Sequence, residues 1–202
     1  MPSTVTGLLT VAGLEYAGSV RWGTPLPAPH PGVYLVTLDE SPITCDAGLA
    51  RAPISEARVA ELLGVRPELR LDASRPTVAM LADRLAGSWL SDETVLYIGL
   101  AGTSVRRRVH QYYSTPLGAR SPHAGGWFLK TLANLDELTV HYAAAADTAA
   151  AERALLQAFV DGVNNTGRKE LYDPACPYPF ANLVGPTGVR KAHGITGARE
   201  PR

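Results

Sequence analysis

Thr94-Val95-Leu96-Tyr97-Ile98-Gly99, followed after four residues by Ser104-Val105-Arg106-Arg107-Arg108-Val109-His110-Gln111-Tyr112-Tyr113, is the stretch that decides the fold. Its first part is β-branched, aromatic or leucine up to the glycine, the composition of a strand. Helix signals then begin at Ser104 and stop in the Pro116 and Gly118 region. Upstream, Gly32-Val33-Tyr34-Leu35-Val36-Thr37-Leu38 reads as another strand, and downstream Leu138-Thr139-Val140-His141-Tyr142 reads as a third. Asp147 caps a good helix former running from Thr148 to about Val163. Three strands interleaved with helices predict an α/β domain with a small three-stranded sheet flanked by helices.

The remaining segments are read around that core, and all 202 residues are assigned to one domain. Residues 1–30, which end in a run of alternating prolines, read as an extended N-terminal arm, because proline disfavours helix in the residue before it. Residues 38–93 form a helical insertion between the first two core strands, with one helix at Ser55–Leu63 and another at Thr77–Leu90. Its expected role is packing or a dimer contact. Gly125-Gly126 introduces a short helix or turn at Trp127-Phe128-Leu129. The remainder reads as loop with one short strand near Phe180, and 184–202 is a basic C-terminal tail.

Nineteen Lys and Arg balance nineteen Asp and Glu, and a neutral chain taken alone argues against a nucleic-acid partner. The distribution points the other way. From Thr94 to Leu135 the charged residues are Arg106, Arg107, Arg108, Arg120 and Lys130, with no acid, while acids outnumber arginines in the insertion. Segregation of this kind lets a neutral chain present a basic face to phosphates. There is no apolar run long enough for a membrane span and no signal peptide, and Cys45 and Cys176 read as two reduced thiols, so the expected location is the cytoplasm without membrane contact.

Two residues attract attention on helix periodicity alone. Leu155, Leu156 and Phe159 make an apolar stripe that Glu152 extends, and a carboxylate facing a core is costly unless it is paired or holds a metal. Arg108 lies on the inner stripe of Val105, Val109 and Tyr112, and a guanidinium there needs an anion, whether a phosphate or a carboxylate such as Glu152. Arg106 and Arg107 point elsewhere, to solvent or phosphate backbone.

Five elements together resemble the GIY-YIG nuclease superfamily. Gly32-Val33-Tyr34 is similar to its GIY element and Tyr97-Ile98-Gly99 matches its YIG element. Val105 to Tyr112 resembles its Leu-x-x-Arg-Leu-x-x-Tyr helix, Glu152-Arg-Ala-Leu-Leu its metal-binding helix, and Pro179-Phe180-Ala181-Asn182 its closing Pro-x-x-Asn. The resemblance implies a metal-dependent DNA endonuclease, restriction-like in size, with a homodimer as the assembly to look for. Glu152 would hold a divalent cation, Mg²⁺ with Mn²⁺ as a substitute. Tyr34 and Tyr97 would position or deprotonate the attacking water, Arg108 would neutralise charge on the phosphate, Tyr112 would assist proton transfer and Asn182 would brace the site. Arg106, Arg107, His123, Lys130, Arg190 and Lys191 are the expected DNA contacts.

The chain departs from the pattern in three places. Some sixty residues separate the GIY and YIG strands where relatives have a short hairpin. Leu100 stands where relatives often carry a lysine, which leaves His110, His123 and Lys130 as candidates for the base-activating group. Asn164 lies nearer the usual spacing after the glutamate, and Asn182 is preferred for its Pro-x-x-Asn context. Two other readings stay open, a structure-specific or repair nuclease and a non-catalytic DNA-binding module that kept the fold. A small-molecule hydrolase has little support, since the chain lacks a Gly-x-Ser-x-Gly and a phosphate-cradling glycine motif.

Overall fold

The computed structural model describes residues 3–123 and 126–200. Gly125 of the expected Gly-Gly turn, the first two residues of the arm and the last two of the tail lie outside the described residues. The chain runs α1 (Val5–Val11), β1 (Gly18–Arg21), β2 (Gly32–Thr37), α2 (Glu56–Val65), β3 (Arg70–Leu71), α3 (Val78–Ala86), β4 (Val95–Ala101) and α4 (Val105–Ser114). Two 3-10 turns, Trp127–Thr131 and Leu135–Glu137, lead to β5 (Thr139–Ala144), α5 (Thr148–Gly162), α6 (Asn165–Glu170) and β6 (Ile195–Thr196). The protein is α/β, and its main sheet has four strands in the order β1-β5-β2-β4, all antiparallel neighbours, where three were expected.

The fourth strand comes from the N-terminal arm. Gly18-Ser19-Val20-Arg21 pairs with β5 at the sheet edge and is half exposed, so it lacks the apolar run that marks a buried strand. The arm also folds into α1, capped by Thr4, whose side chain accepts from the Gly7 backbone N–H. Val5, Leu8 and Leu9 are its buried stripe. The proline run forms neither helix nor strand. There the backbone carbonyls of Ala28 and His30 accept from the N–H groups of Arg106 and Val105, satisfying two donors that the first turn of a helix leaves open.

β2 is the central support, and all six of its residues are buried. Its side chains alternate between two cores. Tyr34 and Val36 pack with Val59, Leu81, Val109 and Phe128, under α2, α3, α4 and the first 3-10 turn. Val33 and Leu35 pack with Leu8, Leu9, Leu155 and Phe159 from α1 and α5. Gly32 is needed at the start of the strand, since a Cβ there would fall 2.2 Å from the Ala143 carbonyl oxygen of β5.

The insertion at 38–93 packs on the first core through Leu62, Leu69, Leu85 and Trp89. Its short β3 pairs with β6, so the C-terminal segment is zipped onto the insertion and is not the loose basic tail expected from composition. No strand forms at Phe180. Two-residue strands and the six-residue α6 are too short to leave a periodic pattern. Among the described residues no helix is long and apolar enough to cross a membrane, and both cysteines are free thiols.

Candidate active site

Tyr34 on β2 lies directly opposite Gly99 on β4, and Val36 lies opposite Tyr97, so the two tyrosines sit diagonally on one face. Their ring centroids are 5.9 Å apart. Gly99 makes this approach possible. A Cβ added there would come 2.7 Å from Tyr34 Cζ and 2.7 Å from Tyr97 Cε1, both on rigid buried rings. The glycine of the YIG tripeptide is therefore required by packing between the two phenols.

Arg108 and Glu152 approach the same tyrosines from different elements. The α4 helix starts at Ser104, whose hydroxyl accepts from the Arg107 N–H, and its buried face of Val105, Val109 and Tyr112 turns Arg108 half inward. The guanidinium is near enough to lower the pKa of Tyr34, Tyr97 and Glu152 alike. α5 packs on β4 from the opposite side of the sheet, with Glu152 in its first turns. Glu152 and Tyr97 then share the wall of a cavity of about 390 Å³ with Asn182, Arg190 and Arg199. Arg107 and Arg108 line a separate cavity of about 300 Å³ beside Leu100–Ser104.

Burial dominates the titration of the site. It pushes the Glu152 carboxyl above its ordinary value, opposed by Arg108, by the Leu100 backbone and by Arg153. Burial likewise pushes Tyr97 up to about 12, with Glu152 adding to the rise and Arg108 opposing it. Tyr34 is raised further by burial and by the neighbouring phenols of Tyr97 and Tyr112. At neutral pH both tyrosines are hydrogen-bonding phenols and neither is a ready base.

His123 joins the two tyrosines from irregular chain. It is buried, and its Nε2 lies 3.1 Å from the Tyr34 hydroxyl. Tyr112 stacks flat on the imidazole at 4.1 Å, and its hydroxyl donates to the Gly126 carbonyl. Tyr112 thus supports His123 and its own hydroxyl is engaged, contrary to the proton-transfer role expected of it. His123 was expected as a DNA contact and as one of three candidates for the base-activating group. A lone histidine before a glycine pair carries no local mark of pairing with a strand tyrosine 89 residues away.

Asn182 braces the edge of β4. Its Nδ2 donates to the Ile98 carbonyl at 2.8 Å and its Oδ1 accepts from the Ile98 N–H at 2.9 Å, while the Ala181 N–H donates to the Leu96 carbonyl. These bonds satisfy backbone groups that an edge strand leaves open. Asn164, the rival by spacing, caps α6 by accepting from the Gly167 N–H.

The expected DNA contacts divide. Arg107 and Arg190 are exposed on cavity walls. Arg106 is exposed, with its Nε donating to the Leu26 carbonyl. Lys130 and Lys191 are buried and cannot meet a phosphate at the surface. The Lys130 ammonium is held by the carbonyls of Tyr113 and Thr115, and Lys191 by those of Pro179 and Phe180. Desolvation lowers the first to about 8 and the second to about 7. Arg120, Arg153 and Arg199 line cavities instead.

Comparison with models of known protein families, with curated proteins and with solved structures finds no match.

Proposed function

We propose that this chain is a divalent-metal-dependent DNA endonuclease of the GIY-YIG type, restriction-like in its action on intact duplex. The observation that carries the reading is that Tyr34, Tyr97, Arg108 and Glu152, from two strands and two helices, lie within electrostatic reach of one another, with Tyr97 and Glu152 on the wall of one cavity. A cluster of two buried phenols with a half-buried guanidinium and carboxylate has little use in stabilising a core, because each group carries a desolvation cost.

The donor set suits a hard cation. Among the described residues no three His, Cys, Asp or Glu side chains converge, so Glu152 would be the anchor, with water and substrate oxygens completing the shell, a pattern Mg²⁺ accepts. When bound, the cation supplies charge neutralisation at the scissile phosphate and its leaving oxygen. Arg108 offers a planar donor pair to the phosphate oxygens, strengthening as they gain charge. Tyr97 orients the attacking water by hydrogen bonding. As the water oxygen bonds to phosphorus, its proton passes to the Tyr34 hydroxyl while the Tyr34 proton passes to His123 Nε2. The ester bond to the departing oxygen breaks, and that oxygen takes a proton from solvent. An imidazole is the side chain suited to accept a proton near neutral pH, and it fills the role left open by Leu100.

The direct test incubates supercoiled plasmid and phage DNA, methylated and unmethylated, with the protein and Mg²⁺ or EDTA. Mg²⁺-dependent cutting is expected. Flaps and junctions in the same series distinguish a repair-type nuclease, which would cut them and spare intact duplex. Binding to DNA with no cutting under any condition would replace this reading by the non-catalytic module. His123→Ala should slow cutting about 10²-fold with KM little changed, the usual loss on removing a general base. A rate equal to wild type would take His123 out of the proton path.

A further inference from the structure

The cavity beside Glu152 continues beyond it. Leu183, Arg190 and Arg199 in its wall also line a second cavity of about 400 Å³, together with Arg120, Trp127 and His193. Three arginines therefore face one space. Glu200 also lines it, but its carboxylate is engaged by Arg66 at 2.9 Å. Nearby Arg84 is committed to Asp72 at 2.6 Å, and the Lys191 ammonium faces backbone carbonyls.

The crowding of like charge leaves its mark on the groups present. Arg199 is held below its ordinary value by burial and by Arg190 and Arg120. His193 is pushed down to about 4, by burial first and then by Lys191, Arg190, Arg199 and Arg84. It is thus neutral, and because Nδ1 accepts from the Ile195 N–H at 3.0 Å, its proton sits on Nε2 as a fixed donor. Arginines on an open surface spread apart into water. Here they are gathered in a walled space next to a carboxylate-bearing cavity, where an anion would relieve their repulsion and accept their donors.

We propose that this second cavity is a phosphate site, seating a backbone phosphate that flanks the one to be cut on the same strand. The proposal rests on the nuclease reading for its ligand, while the site itself is testable without it. Arg199 and Arg190 stand in both walls and would bridge the two phosphates, with Arg120 and His193 serving the flanking one alone.

Two measurements decide it. Inorganic phosphate, added against chloride at constant ionic strength, should raise the melting temperature of the wild type. It should bind about tenfold more weakly to Arg120→Gln and to Arg190→Gln, as expected for losing a charge-assisted hydrogen bond. Each substitution removes a mutually repelling cation, so the melting temperature without phosphate should hold or rise. An equal phosphate response in wild type and both variants would overturn the site. In the second measurement, duplexes carrying one neutral methylphosphonate linkage near the cut are compared with native DNA. A neutral linkage at the flanking position should raise KM about tenfold for wild type and have little further effect on Arg120→Gln, with the smaller change in kcat. If wild type cuts DNA and the linkage penalises both proteins equally, the flanking site falls and the nuclease stands. If wild type cuts no DNA yet phosphate binds as described, the nuclease reading falls and the anion site stands.

Discussion

Glu152→Gln is expected to reduce DNA cutting by about 10³-fold or more while raising the heat stability of the metal-free protein. The first effect follows from the loss of the one carboxylate that the described residues place in the cavity, since metal assistance is worth several kcal/mol at the transition state. The second follows from the direction in which burial moves this carboxyl. Its folded-state value lies above the unfolded one, so the folded protein holds the proton more tightly. The stability linked to that proton is fully present below the unfolded carboxyl range and is lost as pH rises through the folded value. At neutral pH the charge is a net cost of folding, which glutamine removes, by about 1 kcal/mol as for other incompletely compensated buried polar groups. A cation reverses the balance. Mg²⁺ should raise the melting temperature of wild type and leave Glu152→Gln unmoved, read by thermal denaturation with MgCl₂ against EDTA. Equal responses would mean that the ion is anchored elsewhere.

The core of the fold could be read from sequence because its signals are local. β2, β4 and β5 are continuous β-branched and aromatic runs, buried on both faces, and α4 and α5 carry clear caps and apolar stripes. The missing parts depend on contacts that no local pattern encodes. β1 is a half-exposed edge strand of four residues, including a glycine and an arginine, and it exists because β5 offers it a partner. β3 and β6 are two residues each and exist as a pair. The same division holds at the site. Tyr34, Tyr97, Arg108 and Glu152 lie on regular elements, where spacing shows the direction of each side chain. His123 and Lys191 lie in irregular chain and Lys130 in a single 3-10 turn, where charge suggested exposure and the tertiary structure placed the side chains inside. For the two lysines, carbonyls 11 to 17 residues away, at the end of α4 and in the Pro179–Phe180 segment, supply partners that composition does not reveal.

Arg108→Ala should lower kcat by about 10²- to 10³-fold, the range seen when one preorganised donor to a developing oxyanion is removed. Arg108→Lys should rescue little, because an ammonium replaces a planar two-donor fork by a point charge. A loss of rate alone would also follow from a distorted helix, and the pH profile separates the two causes. Arg108 lowers the pKa of Glu152, Tyr97 and Tyr34 together, favouring their ionised forms. Without it Glu152 keeps its proton to higher pH, and since the ionised carboxylate is the form that can hold a cation, the acid limb of kcat/KM should move to higher pH. The metal-free variant should also lose stability at neutral pH and recover part of it on acidification, because protonating Glu152 discharges a carboxylate that has lost its nearest cation. A merely misfolded helix would lower the rate at every pH and leave the limb in place. The shift therefore ties Arg108 to the carboxylate through electrostatics, the coupling on which a phosphate held between them would depend.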